Sequence, residues 1–237
     1  MSFFDNLRDR LRYYKNMARF RNLNTQEVFT LIYKENYWGG ENGEFNSGPG
    51  TTNPNVHQYI NVLTDFLRQN KVQSLLDIGC GDFRVMREVV NQVSIDYTGG
   101  DVVQELVDHH NQHYANDHTR FRHLNAITDT LPPAEAVSIR QVLQHLTNEQ
   151  VLTILKKLKP YRYVIITEHV TVGEKAIPNL DKQQGPNVRL YKNSGLYIEQ
   201  PPFNLEVSRV LLEYREDMDV FGTMIPAVIR TSLIENK

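Results

Sequence analysis

A single cysteine, Cys80, stands in the 237 residues, so no intrachain disulfide can brace the fold and a reducing compartment suits the chain. Long apolar runs are missing too. No stretch approaches the roughly 18 uninterrupted apolar residues of a membrane span, and the opening Met-Ser-Phe-Phe-Asp-Asn-Leu-Arg lacks an apolar core of signal-peptide length. The expectation is a cytoplasmic protein with no membrane span. Excess positive charge is also absent: 26 Lys and Arg against 28 Asp and Glu give a net charge of −2. With no general attraction to polyanions and no Lys/Arg block, nucleic acid is not expected as a partner. Internal repeats and low-complexity tracts are lacking as well.

What is present reads as globular. Hydrophobic residues make up 40% and charged residues 23%, too apolar for a disordered chain, and the length allows one sizeable domain with an elaboration. Residues 3 to about 20 alternate apolar side chains (Phe3, Phe4, Leu7, Leu11, Tyr14, Met17) with Arg and Lys at helical spacing. That pattern predicts a helix docked on its own domain or on a second subunit, so a homodimer is one expected assembly. A second helix should run from Thr25 to about Asn36, with Asn24 and Glu27 as a capping box. The Gly-, Asn- and Pro-rich stretch from Trp38 to Gly50 predicts a loop. Asn53-Pro54 should start the next helix, burying Val56, Ile60, Leu63 and Leu67.

From Lys71 onward, strands alternate with helices. Strand-like runs fall at 74–78, 96–100, 120–124, 136–139 and 163–167, with helical segments near 85–91, 103–114 and 148–158. Such alternation implies parallel strands joined by helical crossovers, a doubly wound α/β sheet. Two closely spaced strands, 207–214 and 225–232, should form an antiparallel pair that closes it. The expected organisation is N-terminal helices and a capping loop over residues 1–52, and the α/β domain over residues 53–237.

The strongest signal is Leu75-Leu76-Asp77-Ile78-Gly79-Cys80-Gly81-Asp82, an apolar strand that ends acidic and turns through Gly-x-Gly into a helix. Glycines there let backbone amides approach a ligand at the carboxyl end of the sheet. The dinucleotide fingerprint fails, because its third glycine position holds Arg84. Arg84 and Asp82 suit pyrophosphate poorly, whereas carboxylates suit a ligand bearing an ammonium group.

In these residues the chain resembles the class I S-adenosylmethionine-dependent methyltransferases, over roughly residues 71–168. The likeness implies a Rossmann-like fold with five parallel strands, a terminal antiparallel hairpin and an N-terminal helical cap. It also implies S-adenosylmethionine as cofactor, with Asp77, Gly79, Cys80 and Gly81 in the first motif. Asp101, at the end of the next strand, would take the ribose hydroxyls. Asn125-Ala126 would meet the adenine, where the family usually has Asp. Trp38 and Ser47, in the capping loop, would cover the cofactor, and Arg140 would position cofactor or substrate. A closer likeness to bacterial small-molecule methyltransferases of surface sugars and natural products rests on three pieces. They are Trp38-Gly39 with Ser47-Gly48-Pro49-Gly50, then Arg140 to Leu146, then Pro201-Pro202-Phe203-Asn204-Leu205.

The acceptor follows from chemistry. The sulfonium is already activated, so the protein must align an acceptor and manage one proton. A sugar-like hydroxyl profits from a general base; His145, just past the fourth strand, is the candidate, with Glu168 and His169 next at the end of the fifth. The expected partner is a small-molecule acceptor, nucleotide-linked sugars included, with O-methylation ahead of N-methylation of a small amine. A protein or RNA methyltransferase is disfavoured, since Arg140-Gln141-Val142-Leu143 replaces an Asn-Pro-Pro-Tyr-type motif. A non-catalytic partner subunit and a nicotinamide oxidoreductase are the remaining alternatives. No metal is expected, and His109, His110 and His113 read as a solvated helix face.

Overall fold

The computed structural model describes residues 3–40 and 43–236, without the side chains of residues 3–6 and Asp9. The stripe positions Phe3 and Phe4 therefore lie outside the described side chains. The sheet is built from β1 (Ser74–Ile78), β2 (Asp96–Asp101), β3 (Thr119–His123), β4 (Ala136–Arg140), β5 (Tyr163–Thr171), β6 (Arg209–Arg215) and β7 (Ala227–Glu235). Their order across the sheet is β3-β2-β1-β4-β5-β7-β6. The first five are parallel, and β7 runs antiparallel between β5 and β6. Five parallel strands closed by an antiparallel pair is the expected outline. The strand order reverses between β1 and β4, which opens a crevice at their carboxyl ends.

Helices cover both faces: α1 (Phe3–Arg19), α2 (Thr25–Lys34), the single turn α3 (Pro49–Thr52), α4 (Val56–Gln69), α5 (Arg84–Val90), α6 (Gln104–His113) and α7 (Asn148–Lys156). Strand alternation sorts the core into two layers. Leu76, Ile78, Val137, Ile139, Val164 and Ile166 pack with Val28, Phe29 and Ile32 of α2 and with Val151, Ile154 and Leu155 of α7. Leu75, Ala136, Ile165 and Leu233 face the other way, against α4 and α5. Residues of α2 thus share a core with the sheet, which brings the N-terminal segment onto the crevice. Among the described residues, no helix is long and apolar enough to cross a membrane.

The capping box of α2 forms as expected: Asn24 Oδ1 accepts from Glu27 N–H, and Asn24 N–H donates to Glu27 Oε2. One other expectation fails. Asn53 does not cap α4, which starts at Val56; its side chain instead donates to Glu216 and accepts from Asn55 N–H. At Leu7, Leu11 and Tyr14 the stripe of α1 does not dock on its own domain, which leaves docking on a second subunit, the other expectation, open. Leu7, Leu11 and Tyr14 are 45%, 62% and 62% exposed, whereas Asn16 and Phe20 are buried and Tyr13 packs on Tyr191 and Phe221.

Candidate active site

The crevice holds a pocket of about 1040 Å³, its open mouth included. Its floor is the turn after β1. Gly79 and Gly81 take φ of +73° and +54°, and Gly79 and Cys80 both donate N–H to the Gly100 carbonyl, at 2.8 and 3.1 Å. Neither glycine tolerates a side chain: a Cβ on Gly79 would meet Val142 Cγ2 at 2.4 Å, and one on Gly81 would meet Ser47 Oγ at 2.4 Å.

Asp101 stands at the end of β2, buried, with one carboxylate oxygen accepting Gly81 N–H and the other Val103 N–H, each at 3.1 Å. These bonds fix its plane, while burial pushes its pKa up against the opposing backbone donors. Asp77 is buried behind the turn and accepts from Tyr97 Oη at 2.9 Å; burial raises it to about 7. Burial likewise pushes the Cys80 thiol well up, which suits packing rather than nucleophilic attack.

The roof comes from the N-terminal segment. Ser47 and Asp82 bond reciprocally, Thr51 Oγ1 adds a contact to Asp82 at 3.1 Å, and Tyr33 Oη meets Ser47 Oγ at 2.8 Å. Arg140 Nη2 reaches the Gly50 carbonyl at 2.6 Å. Trp38 lies 5.5 Å, ring to ring, from both Tyr33 and His145.

Trp38, Ser47, Asp77, Gly79, Cys80, Gly81, Asp101, Asn125, Ala126, Arg140 and His145 all line this one pocket. Glu168 does not. It is 2% exposed and accepts the N–H groups of Leu143 and Gln144 at 2.8 and 3.3 Å, so it caps the turn that carries His145. The register explains this: Glu168 continues the Val164–Ile166 face of β5, beneath that turn, rather than facing the crevice. Asn125 Oδ1 accepts Ile127 N–H at 3.0 Å in a turn, which leaves one lone pair toward the pocket that Asn125 lines. His169 is tied to the Glu216 carbonyl at 2.6 Å. Among the described residues, no three His, Cys, Asp or Glu side chains are grouped to hold a metal ion.

His145 is an unusual base candidate. Its Nδ1 faces the Gly185 carbonyl at 3.1 Å, and burial, reinforced by Lys182, pushes its pKa down to about 3. The ring is therefore neutral across the physiological range.

Three supporting residues escaped the sequence reading. His110, read as solvated, is 1% exposed and its Nε2 donates to the Gly81 carbonyl at 2.7 Å. His109 and His113 do stack at the surface. Lys157 gathers the carbonyls of Ala126, Ile127 and Asp129 at 2.7–2.9 Å, holding the 125–129 loop from outside. Lys182 is buried behind His145. No signal on their own helices or loops marked them, because their partners come from distant segments.

No protein-family model matches the chain, and a search of curated proteins finds no match. Solved structures do match. TehB from Haemophilus influenzae is 17% identical, over 75% of this chain and 62% of that one, with a TM-score of 0.50. The Burkholderia thailandensis 1,6-didemethyltoxoflavin-N1-methyltransferase, crystallised with 1,6-didemethyltoxoflavin and S-adenosylhomocysteine, is 12% identical over 90% and 87%, at 0.53. The N-methyltransferase NodS from Bradyrhizobium japonicum, in complex with S-adenosylhomocysteine, is 12% identical over 79% and 92%, at 0.52. The chain has the Rossmann-like class I methyltransferase fold. In that fold the pocket described above sits at the strand-order reversal, where α/β sheets bind ligands.

Proposed function

We propose that this chain transfers a methyl group from S-adenosylmethionine to a small polar acceptor. The observation that carries the reading is Asp101, a buried carboxylate held in one plane by two backbone N–H groups at the end of β2, facing the same pocket as the glycine turn. Two hydroxyls on one ribose match such a carboxylate, and charge-assisted bonds make the match strong. In this reading the bare backbone of Gly79–Gly81 admits the ligand closely, Asp77 attracts its ammonium group, and the Asn125–Ala126 loop meets the adenine. Trp38, Ser47 and Arg140 close the roof. When bound, the cofactor supplies an activated methyl group; the residues of this chain bind, orient and exclude water.

The acceptor reading is a hydroxyl of a sugar or sugar-like metabolite, nucleotide-linked sugars among them. His145 would take up the acceptor proton or accept its hydrogen bond. A second reading, methylation of a small amine, is favoured by one observation: an imidazole held near pKa 3 is a weak base for an alcohol. An amine can shed its proton before attack. The same reading takes the protein as cytoplasmic, with the exposed Leu7, Leu11 and Tyr14 of α1 available to a second copy.

Calorimetry with S-adenosylhomocysteine tests the cofactor. A screen of nucleotide-linked sugars and small amines with methyl-deuterated cofactor, read by mass spectrometry, tests the acceptor. Label appearing only on amines would retire the hydroxyl reading.

A further inference from the structure

Behind the turn Leu143–His145 three ionisable side chains are buried around residues 143–146. Lys182, 7% exposed, donates from Nζ to the His145 carbonyl at 3.1 Å. Arg189, 1% exposed, donates from Nη2 to the Leu146 carbonyl at 2.9 Å and from Nη1 to the Leu180 carbonyl at 2.7 Å. Glu168 holds the N–H groups of Leu143 and Gln144. Gly185 closes the arrangement in both directions: its N–H donates to the His145 carbonyl at 3.0 Å, and its own carbonyl faces His145 Nδ1.

Burying cations is unfavourable unless they are well bonded, and neutral side chains would suffice to cap a turn. Here two basic side chains grip the carbonyls of consecutive residues, His145 and Leu146; burial, reinforced by Arg189, pushes Lys182 down to about 7, so its bond is the stronger, charge-assisted kind below that pH. The ring that this grip steadies lines the pocket, 5.5 Å from Trp38 and 6.2 Å from Phe29. Gly185 orients Nδ1–H, which makes Nε2 the nitrogen with the free lone pair.

We propose that Lys182 is a positioning residue for His145: with Gly185 it locks the peptide and the ring orientation of the histidine on the pocket wall. Lys182 is the buried basic side chain that bonds residue 145 itself, and Arg189 and Glu168 brace the flanking peptides. The purpose of this lock rests on the functional reading above; its geometry does not. Lys182 also adds to the burial that keeps His145 unprotonated.

The full chain with ring-¹⁵N histidine provides the test, the His145 signals being assigned by their loss in His145→Gln. In the parent protein His145 should show a protonated Nδ1 and a bare Nε2, unchanged from about pH 6 to 5, where Lys182 is charged. Emission of Trp38, the single tryptophan, should be equally flat. In Lys182→Met the two ring signals should average between tautomers. Lys182→Arg should restore the parent pattern. His145 signals in a cooperatively folded Lys182→Met identical to those of the parent would overturn the assignment. Should Lys182→Met not fold, amide exchange in the parent decides. Leu143, Gln144 and Gly185 should open together with equal protection, and independent opening of Gly185 would overturn it. None of these arms needs a ligand, so failure to bind S-adenosylhomocysteine would sink the functional reading and leave this test standing.

Discussion

Ser47 and Asp82 hold each other by two hydrogen bonds: Ser47 N–H donates to Asp82 Oδ2 at 3.0 Å, and Asp82 N–H donates to Ser47 Oγ at 2.7 Å. One residue belongs to the N-terminal loop and the other ends the glycine turn, so the pair ties the roof of the pocket to its floor. Ser47→Ala removes one of these bonds and the contact to Tyr33, and should cost about 0.5–1.5 kcal/mol of stability. Adding S-adenosylhomocysteine should slow amide exchange across residues 37–40 and 43–50 in the parent and less so in the variant. Protection confined to the region of Gly79 and Asp101 would show a roof independent of the site.

The contact of roof and floor also makes a double-mutant prediction. Gly81→Ala places a methyl group 2.4 Å from Ser47 Oγ, at φ +54°. It should therefore lower both stability and ligand affinity. Ser47→Gly removes the clashing atoms, so the double variant should recover part of the loss, with a coupling of roughly 0.5–3 kcal/mol. Additive losses in denaturant titrations would mean the two segments do not pack in solution.

His110 should behave as part of the cofactor site despite its burial. His110→Phe keeps ring packing against Phe83 and Phe121 but leaves the Gly81 carbonyl without its donor. A buried acceptor left unpaired costs about 1–3 kcal/mol, shared between folding and ligand binding. Unchanged chemical stability together with unchanged affinity would make the 2.7 Å contact incidental.

The acid side of the stability profile follows from His145. Unfolded, it titrates near 6.5; folded, burial holds it near 3. Between those values the unfolded chain takes up a proton that the native state refuses, so this group lowers stability as pH falls from about 6.5 toward 3. Asp77 and Glu168 act oppositely. Their folded values near 7 and 8 mean the native state keeps protons that the unfolded chain releases above about 4, so their contribution is lost as pH rises through that window. The difference between parent and His145→Gln melting curves isolates the histidine: it should change with pH below 6.5 and be flat above. With His145 held near 3, a rate that falls through the ordinary histidine range would report the acceptor's own protonation.

Legibility from sequence tracked how local each cause is. The glycine turn, the strand–helix alternation and the Asn24–Glu27 box depend on neighbours in the chain, and each stands where the pattern put it. Asn53 was misread because Glu216, a residue 163 positions away, competes for its side chain. The docking face of α1 is set by Tyr191 and Phe221, which no helical period can reveal. Glu168 looked like a crevice carboxylate because it ends an apolar run. Its register on β5, and the bare N–H groups of the 143–145 turn, decide otherwise. His110 and Lys182 were invisible for the same reason: their chemistry belongs to carbonyls on other segments.

The central claim is that Asp101 anchors S-adenosylmethionine through its ribose, and isothermal titration with S-adenosylhomocysteine tests it most directly. The parent should bind. Asp101→Ala, shown to be folded by its melting transition, should lose about 1.5–3 kcal/mol, roughly ten- to hundredfold in affinity. Equal affinity in parent and variant, or no binding by the parent, would contradict the account.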